Sequence, residues 1–176
     1  YALVAGNNVD FVLNNGIEYS NGHDALIVGN DVGTLGYVGG NGIDIRDSND
    51  LLVGWNDIDT NVQGNGIFID PSFNITLQNN WINEVGQTGI YVQGLGNGYI
   101  KLAGNTVNSR AGNTGARFES GEIDMSSANF NTFTGGENGL EFDGPEVKLT
   151  GDTFGTTKFV GQTGYYIALS NGAMYN

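Results

Sequence analysis

Apolar side chains recur along this chain in short runs of period two. A Gly followed by apolar-x-apolar appears as Gly16-Ile17-Glu18-Tyr19, Gly42-Ile43-Asp44-Ile45 and Gly66-Ile67-Phe68-Ile69. It returns as Gly89-Ile90-Tyr91-Val92, Gly115-Ala116-Arg117-Phe118, Gly139-Leu140-Glu141-Phe142 and Gly164-Tyr165-Tyr166-Ile167, at spacings of 26, 24, 23, 26, 24 and 25 residues. A second apolar pair follows each: Leu26/Val28, Leu51/Val53, Ile75/Leu77, Ile100/Leu102, Ile123/Met125, Val147/Leu149 and Ala173/Tyr175. Leu3 and Val4 open the same column. A third signal is apolar-x-x-Asn-x-apolar, through Asn7, Asn56, Asn80 and Asn105. Asp152 replaces Asn in a later repeat, Asn129 or Asn131 fills another, and Asn30 or Asp31 fits the shifted slot after Val28.

Runs of period two are strands with one buried face. Strands this short, separated by Gly and Asn turns, bury their faces by stacking repeat on repeat, each pairing in parallel with its equivalent. The pattern predicts an all-β, right-handed parallel β-helix of about seven coils of roughly 24 residues, with three short strands per coil. No window carries a helical period. An Asn side chain offers both donor and acceptor. At a coil spacing of about 4.8 Å, Asn7, Asn56, Asn80, Asn105 and the matching Asp152 are expected to form a ladder within one turn. Inward aromatics such as Tyr19, Phe118, Phe133, Phe142, Phe154 and Phe159 read as core.

Composition narrows the function classes. Nineteen Asp and Glu against six Lys and Arg leave a formal net charge of −13, which argues against nucleic acid and against anionic membrane surfaces. The 30 glycines and 24 asparagines mark turns, since both residues tolerate positive φ. Without cysteine there is no disulfide framework, thiol catalysis or Cys-based zinc site. No apolar run approaches the roughly 18–20 residues of a membrane span. Residues 1–176 read as one domain, and a start at Tyr1 suggests a segment of a longer protein.

The pattern around Asn41–Val53 and Asn65–Leu77 resembles the repeats of the pectin-lyase-like superfamily. Polysaccharide lyases, polygalacturonases, uronate epimerases, phage tailspikes and bacterial adhesin passengers share that fold, so the resemblance is specific for architecture and weak for activity. In an apolar-x-apolar strand the middle residue points outward. One outward column is Glu18, Asp44, Phe68, Tyr91, Arg117, Glu141 and Tyr166; the next is Ser20, Arg46, Asp70, Gln93, Glu119, Asp143 and Ala168. Pectate-lyase-like enzymes place acidic Ca²⁺ ligands and an Arg base on this face. The resemblance therefore implies Arg46, Arg117, Asp44 and Asp70 as a catalytic set, if there is one. Phe68, Tyr91, Gln93, Glu119, Glu141 and Asp143 are candidates for glycan contact. The same charges also fit ordinary cross-strand pairs, each contributing about 0.2–1 kcal/mol.

Family signatures are missing at the residue level. The paired Asp-Asp, Gly-His-Gly and Arg-x-Lys motifs of polygalacturonase-like enzymes are absent. The Asp-Pro-His motif of uronate epimerases is matched only by Asp70-Pro71-Ser72. A repeat-toxin motif, Gly39-Gly40-Asn41-Gly42-Ile43-Asp44, occurs once rather than in series. No cofactor or metal site is expected, with Ca²⁺ as the only candidate ion. In the second strand the outward column begins Ile27, Leu52, suggesting contact with another segment.

The uniform coil length leaves little room for a loop-built cleft. The reading that follows is a non-enzymatic extracellular or cell-surface solenoid, a segment of an adhesin, passenger or fibre. Glycans or cell-surface molecules are its expected partners, with end-to-end self-association of coils as another. A polysaccharide-lyase-like enzyme or a glycan-binding module on the first-strand face is the alternative.

Overall fold

The computed structural model describes residues 1–150, 157–161, 167–170 and 174–175. These residues contain no helix and form two parallel sheets, one of eleven strands and one of seven. In the larger sheet Ile17, Ile43, Ile67, Ile90, Ala116, Leu140 and Ile167 stack in register. In the smaller, Val9, Val32, Ile58, Ile82, Val107, Phe133 and Phe159 do the same. The core is therefore a set of like residues piled along the axis, with Phe118 on Phe142 at 5.4 Å and Phe133 on Phe159 at 6.0 Å. Phe154 lies outside the described residues.

The two apolar pairs predicted as separate strands share one long strand in four coils: Ile43–Gly54, Ile67–Gln78, Thr114–Asp124 and Asn138–Thr150. Such a strand must turn a corner without breaking. Asp47 and Asp50 do this at φ of 48° and 57°, a left-handed conformation that short polar side chains tolerate. Ser48, Ser72, Asn97 and Ser120 line the inside of the corner, each accepting a backbone N–H from the coil before.

The asparagine ladder runs Asn7, Asn30, Asn56, Asn80, Asn105, Asn131, with Nδ2 to Oδ1 distances of 2.8–3.0 Å. From Asn30 onward each amide also donates to a backbone carbonyl, as Asn80 does to Val53 at 3.0 Å. The side-chain amides of Asn30, Asn56, Asn80 and Asn105 thus find partners for both nitrogen and oxygen, as burial requires. Asn30 and Asn131 take the two slots the sequence left open, and Asp152 falls outside the described residues.

The ladder corrects the inward pair of one coil. Ala25 and Ile27 point into the core, stacked on Leu51 and Val53, whereas Leu26 and Val28 do not. Four consecutive apolar residues carry no phase of their own. Asn30 must meet Asn56, so the apolar residue three before it, Ile27, takes the place of Val53. Ile27 is consequently not outward; Leu3, Leu26 and Leu52 form that column. In the last coil Ile167 and Leu169 pair in register with Leu140 and Phe142, two residues later than expected. A two-residue slip keeps the same face inward, so alternation could not exclude it. Ala168 takes the register position opposite Glu141 that was assigned to Tyr166, and Tyr166 lies outside the described residues.

A fourth inward column was not anticipated. Val12, Val38 and Val62 form parallel bridges across the remaining turn, and Val38, Val62 and Val85 are buried. The glycines four residues later close the coils tightly. A Cβ on Gly66 would lie 2.6 Å from the Gly89 carbonyl oxygen and 2.5 Å from Ile82 Cγ2, so only glycine fits this column.

Candidate functional site: the outward face of the first strand

Parallel register carries the outward residues of successive coils into rows. Glu18, Asp44, Phe68, Tyr91, Arg117 and Glu141 form one row. Ser20, Arg46 and Asp70 begin the next, and Gln93, Glu119 and Asp143 hold the equivalent position after each strand centre.

Asp44, Arg46, Phe68, Tyr91, Arg117, Glu119, Glu141 and Asp143 form a continuous chain of contacts. Arg46 folds back along its own strand onto Asp44, Nε to Oδ1 at 2.7 Å and Nη2 to Oδ2 at 3.1 Å. Its guanidinium also lies over the Phe68 ring at 5.1 Å. Phe68 meets Tyr91 edge-on at 5.7 Å. Arg117 covers the Tyr91 ring at 5.6 Å, and the Tyr91 hydroxyl donates to Glu119 Oε1 at 2.6 Å. Arg117 also pairs with Glu119 at 3.3 Å, with Asp143, and with Glu141 at 3.9 Å. Two rings are thus held between two cations, an arrangement favoured by the negative faces of the rings.

Two candidate roles change as a result. The Asp44 side chain is 0% exposed and also accepts from Asn15 at 3.0 Å and Asn41 at 2.7 Å. Three of its four hydrogen bonds fall on Oδ2 and one on Oδ1, so a Ca²⁺ ion or a substrate would have to compete with these partners for a carboxylate closed to solvent. Phe68 is 6% exposed, covered by Arg46 and Tyr91, and offers no open ring to a sugar. Alternation gives the side of the sheet, not what neighbouring long side chains lay across it. Asn15, Asn41 and Asn65 belong to a second ladder beside the glycine column. The recurring Asn-Gly pairs at 15–16, 41–42 and 65–66 are the signal that would have found it.

The electrostatics follow from this pairing. The hydrogen bonds it donates to Asp44 hold Arg46 above its ordinary value. Burial opposes the charge on Arg117, but Glu141, Tyr91, Asp143 and Glu119 outweigh it and raise its pKa. Burial and the hydrogen bond to Glu119 push the Tyr91 phenol up. Asp70 is raised by desolvation against the pull of Arg46. A general base needs a pKa near the working pH, and both guanidiniums are displaced away from it. Gln93 is exposed, and Tyr91, Glu119, Glu141 and Asp143 are part-exposed around Arg117. Among the described residues no three His, Cys, Asp or Glu side chains converge to hold a metal ion, and no helix is long and apolar enough to cross a membrane.

Comparison with known proteins agrees with this architecture. A solved structure of a double mutant of the periplasmic alginate epimerase AlgG superposes with a TM-score of 0.55 at 21% identity. The match covers 93% of this chain but 39% of the epimerase, so the chain spans well under half of that protein's length. No curated protein matches the sequence. The family described as "Right handed beta helix region" matches residues 1–170. On a match of that extent, and with coils, ladder and parallel sheets in place, the chain belongs to the right-handed β-helix family.

Proposed function

We propose that this chain is a non-catalytic β-helix segment of a secreted or cell-surface protein, an adhesin, passenger or fibre, whose first-strand face contacts neutral polysaccharide. The observation that carries this reading is the locked Arg46–Phe68–Tyr91–Arg117 stack. It keeps both arginines charged and paired while presenting a rigid polar strip. The strip runs along the coil axis at about 4.8 Å per coil, so an extended chain of sugars lies parallel to it. Pre-ordered side chains lower the entropy cost of such contact. The fold likeness to an alginate epimerase supports a polysaccharide partner by analogy of architecture alone. Charge argues against a polyuronate here: Glu18, Asp44, Asp70, Glu119, Glu141 and Asp143 outnumber Arg46 and Arg117.

Affinity electrophoresis through gels containing neutral polysaccharides or alginate, together with an ultraviolet assay for unsaturated uronate products, tests the reading. Retardation by a neutral polymer, unchanged by a Ca²⁺ chelator and weakened about tenfold in Arg117→Ala, is expected. Turnover of a polyuronate with or without Ca²⁺, or free migration through every neutral polymer, would overturn it.

A further inference from the structure

The corner after the first strand carries a feature that the strip does not use. Asn21 and Asp47 turn the chain there at φ of 53° and 48°. The next outward residues of three successive coils, His23, Asn49 and Phe73, fall in register. Between them lies a cavity of about 450 Å³ lined by Asn21, His23, Asp47, Asn49, Pro71 and Phe73. That volume falls within the roughly 300–1,000 Å³ of small-molecule sites.

Phe73 is 54% exposed, which for a lone surface aromatic would need no explanation. Its setting is what gives it meaning. The ring rests against Gly98 of the following coil, where a Cβ would come within 2.5 Å of Phe73 Cδ1. One side is therefore fixed against bare backbone, and the ring also lines the cavity. Pro71 stiffens the wall beside it through its fixed φ. Asn21 and Asn49 bring amides with both donors and acceptors to the rim. His23 is held by Asp24, Nδ1 to Oδ2 at 3.0 Å. The lining holds no Lys or Arg, and Asp47 adds a carboxylate, so an anionic ligand is disfavoured.

We propose that this corner cavity binds a single neutral pyranose ring stacked on Phe73. A pyranose presents a face of axial C–H groups edged by equatorial hydroxyls, matching an aromatic floor with an amide and imidazole rim. The site goes beyond the strip and does not need the strip to bind.

Nuclear magnetic resonance titration of the whole chain with methyl β-D-glucopyranoside, methyl β-D-galactopyranoside and methyl β-D-glucuronide tests it. Addition to about 10 mM, tenfold above a Kd of about 1 mM, is expected to shift the Phe73 ring and the Asn21 and Asn49 amides for at least one neutral sugar. Phe73→Ala is expected to weaken binding at least tenfold, Phe73→Trp to retain it, and Arg117→Ala to leave it unchanged. Failure of both neutral sugars to shift these resonances would overturn the proposal. So would shifts that survive Phe73→Ala, or equal binding of the glucuronide. The strip reading fails separately, by free migration of the chain in neutral-polymer gels.

Discussion

Asn80 shows how much of the solenoid rests on one side chain. It is buried, donates to Asn105 Oδ1 at 2.9 Å and to the Val53 carbonyl at 3.0 Å, and accepts from the Asn56 amide and backbone. Replacement by Ala removes one donor from the Val53 carbonyl and the acceptor of two Asn56 donors at a buried position. Each orphaned group costs about 1–3 kcal/mol, so Asn80→Ala is expected to lower unfolding free energy by about 3 kcal/mol or more in urea. Asn8→Ala, at an exposed position of the short strand Asn8–Val9, is expected to stay within about 0.5 kcal/mol of the parent. Similar losses for the two variants would refute a stabilising ladder. Asn80→Asp sharpens the test. Its carboxylate would face the Asn105 and Val53 oxygens, so its folded-state pKa rises above the unfolded value. A raised acid gains stability as pH falls through that pKa, and this variant alone should recover on acidification.

At the scale of the strand, stacking like on like also stacks like charges. Asp31 lies in register beneath Asp57. Desolvation, then the charges of Asp31 and Asp59, raise the Asp57 pKa. The folded state therefore binds this proton more readily than the unfolded chain, so the group opposes folding at neutral pH and the penalty disappears as pH falls through the raised value. Asp57→Asn is expected to raise Tm at pH 7, with the gap closing below the ordinary aspartate range. Asp124 has the opposite sign. Burial pushes it up, but hydrogen bonds from Ser126 and Tyr99 outweigh this and lower its pKa. Asp124→Asn should lower Tm at pH 7, and this loss too should fade in acid as the parent protonates. Melting curves of the two variants that move in the same direction would contradict the assignment. The strands themselves were legible because period two survives in pieces of three residues. The phase at Ala25–Val28 was not, since only the distant Asn30–Asn56 contact sets it. The valine column through Val38 and Val62 was hidden because a single apolar residue in a turn has no period within its own coil. The rows of the candidate site could be read from alternation, but the covering of Asp44 and Phe68 depends on where Arg46 bends.

Across the whole molecule, the net charge of −13 is concentrated by the solenoid instead of being diluted. Coils about 4.8 Å apart bring carboxylates of successive repeats inside the Debye length of about 8 Å at 0.15 M salt. Self-repulsion of this kind destabilises a compact state. The paired cations offset it locally, as Arg46 does for Asp44 and Arg117 for three carboxylates, yet carboxylates exceed cations by about three to one. Screening lengths fall from about 30 Å at 0.01 M salt to about 8 Å at 0.15 M, which removes long-range repulsion sooner than the partly buried contacts around Arg46 and Arg117. Tm is therefore expected to rise steadily as NaCl increases over that range. Arg117→Ala should steepen the rise, because it releases three carboxylates into the unscreened field. A Tm that is flat or falls with salt would mean that the ion pairs, not the excess negative charge, dominate the electrostatics of the fold.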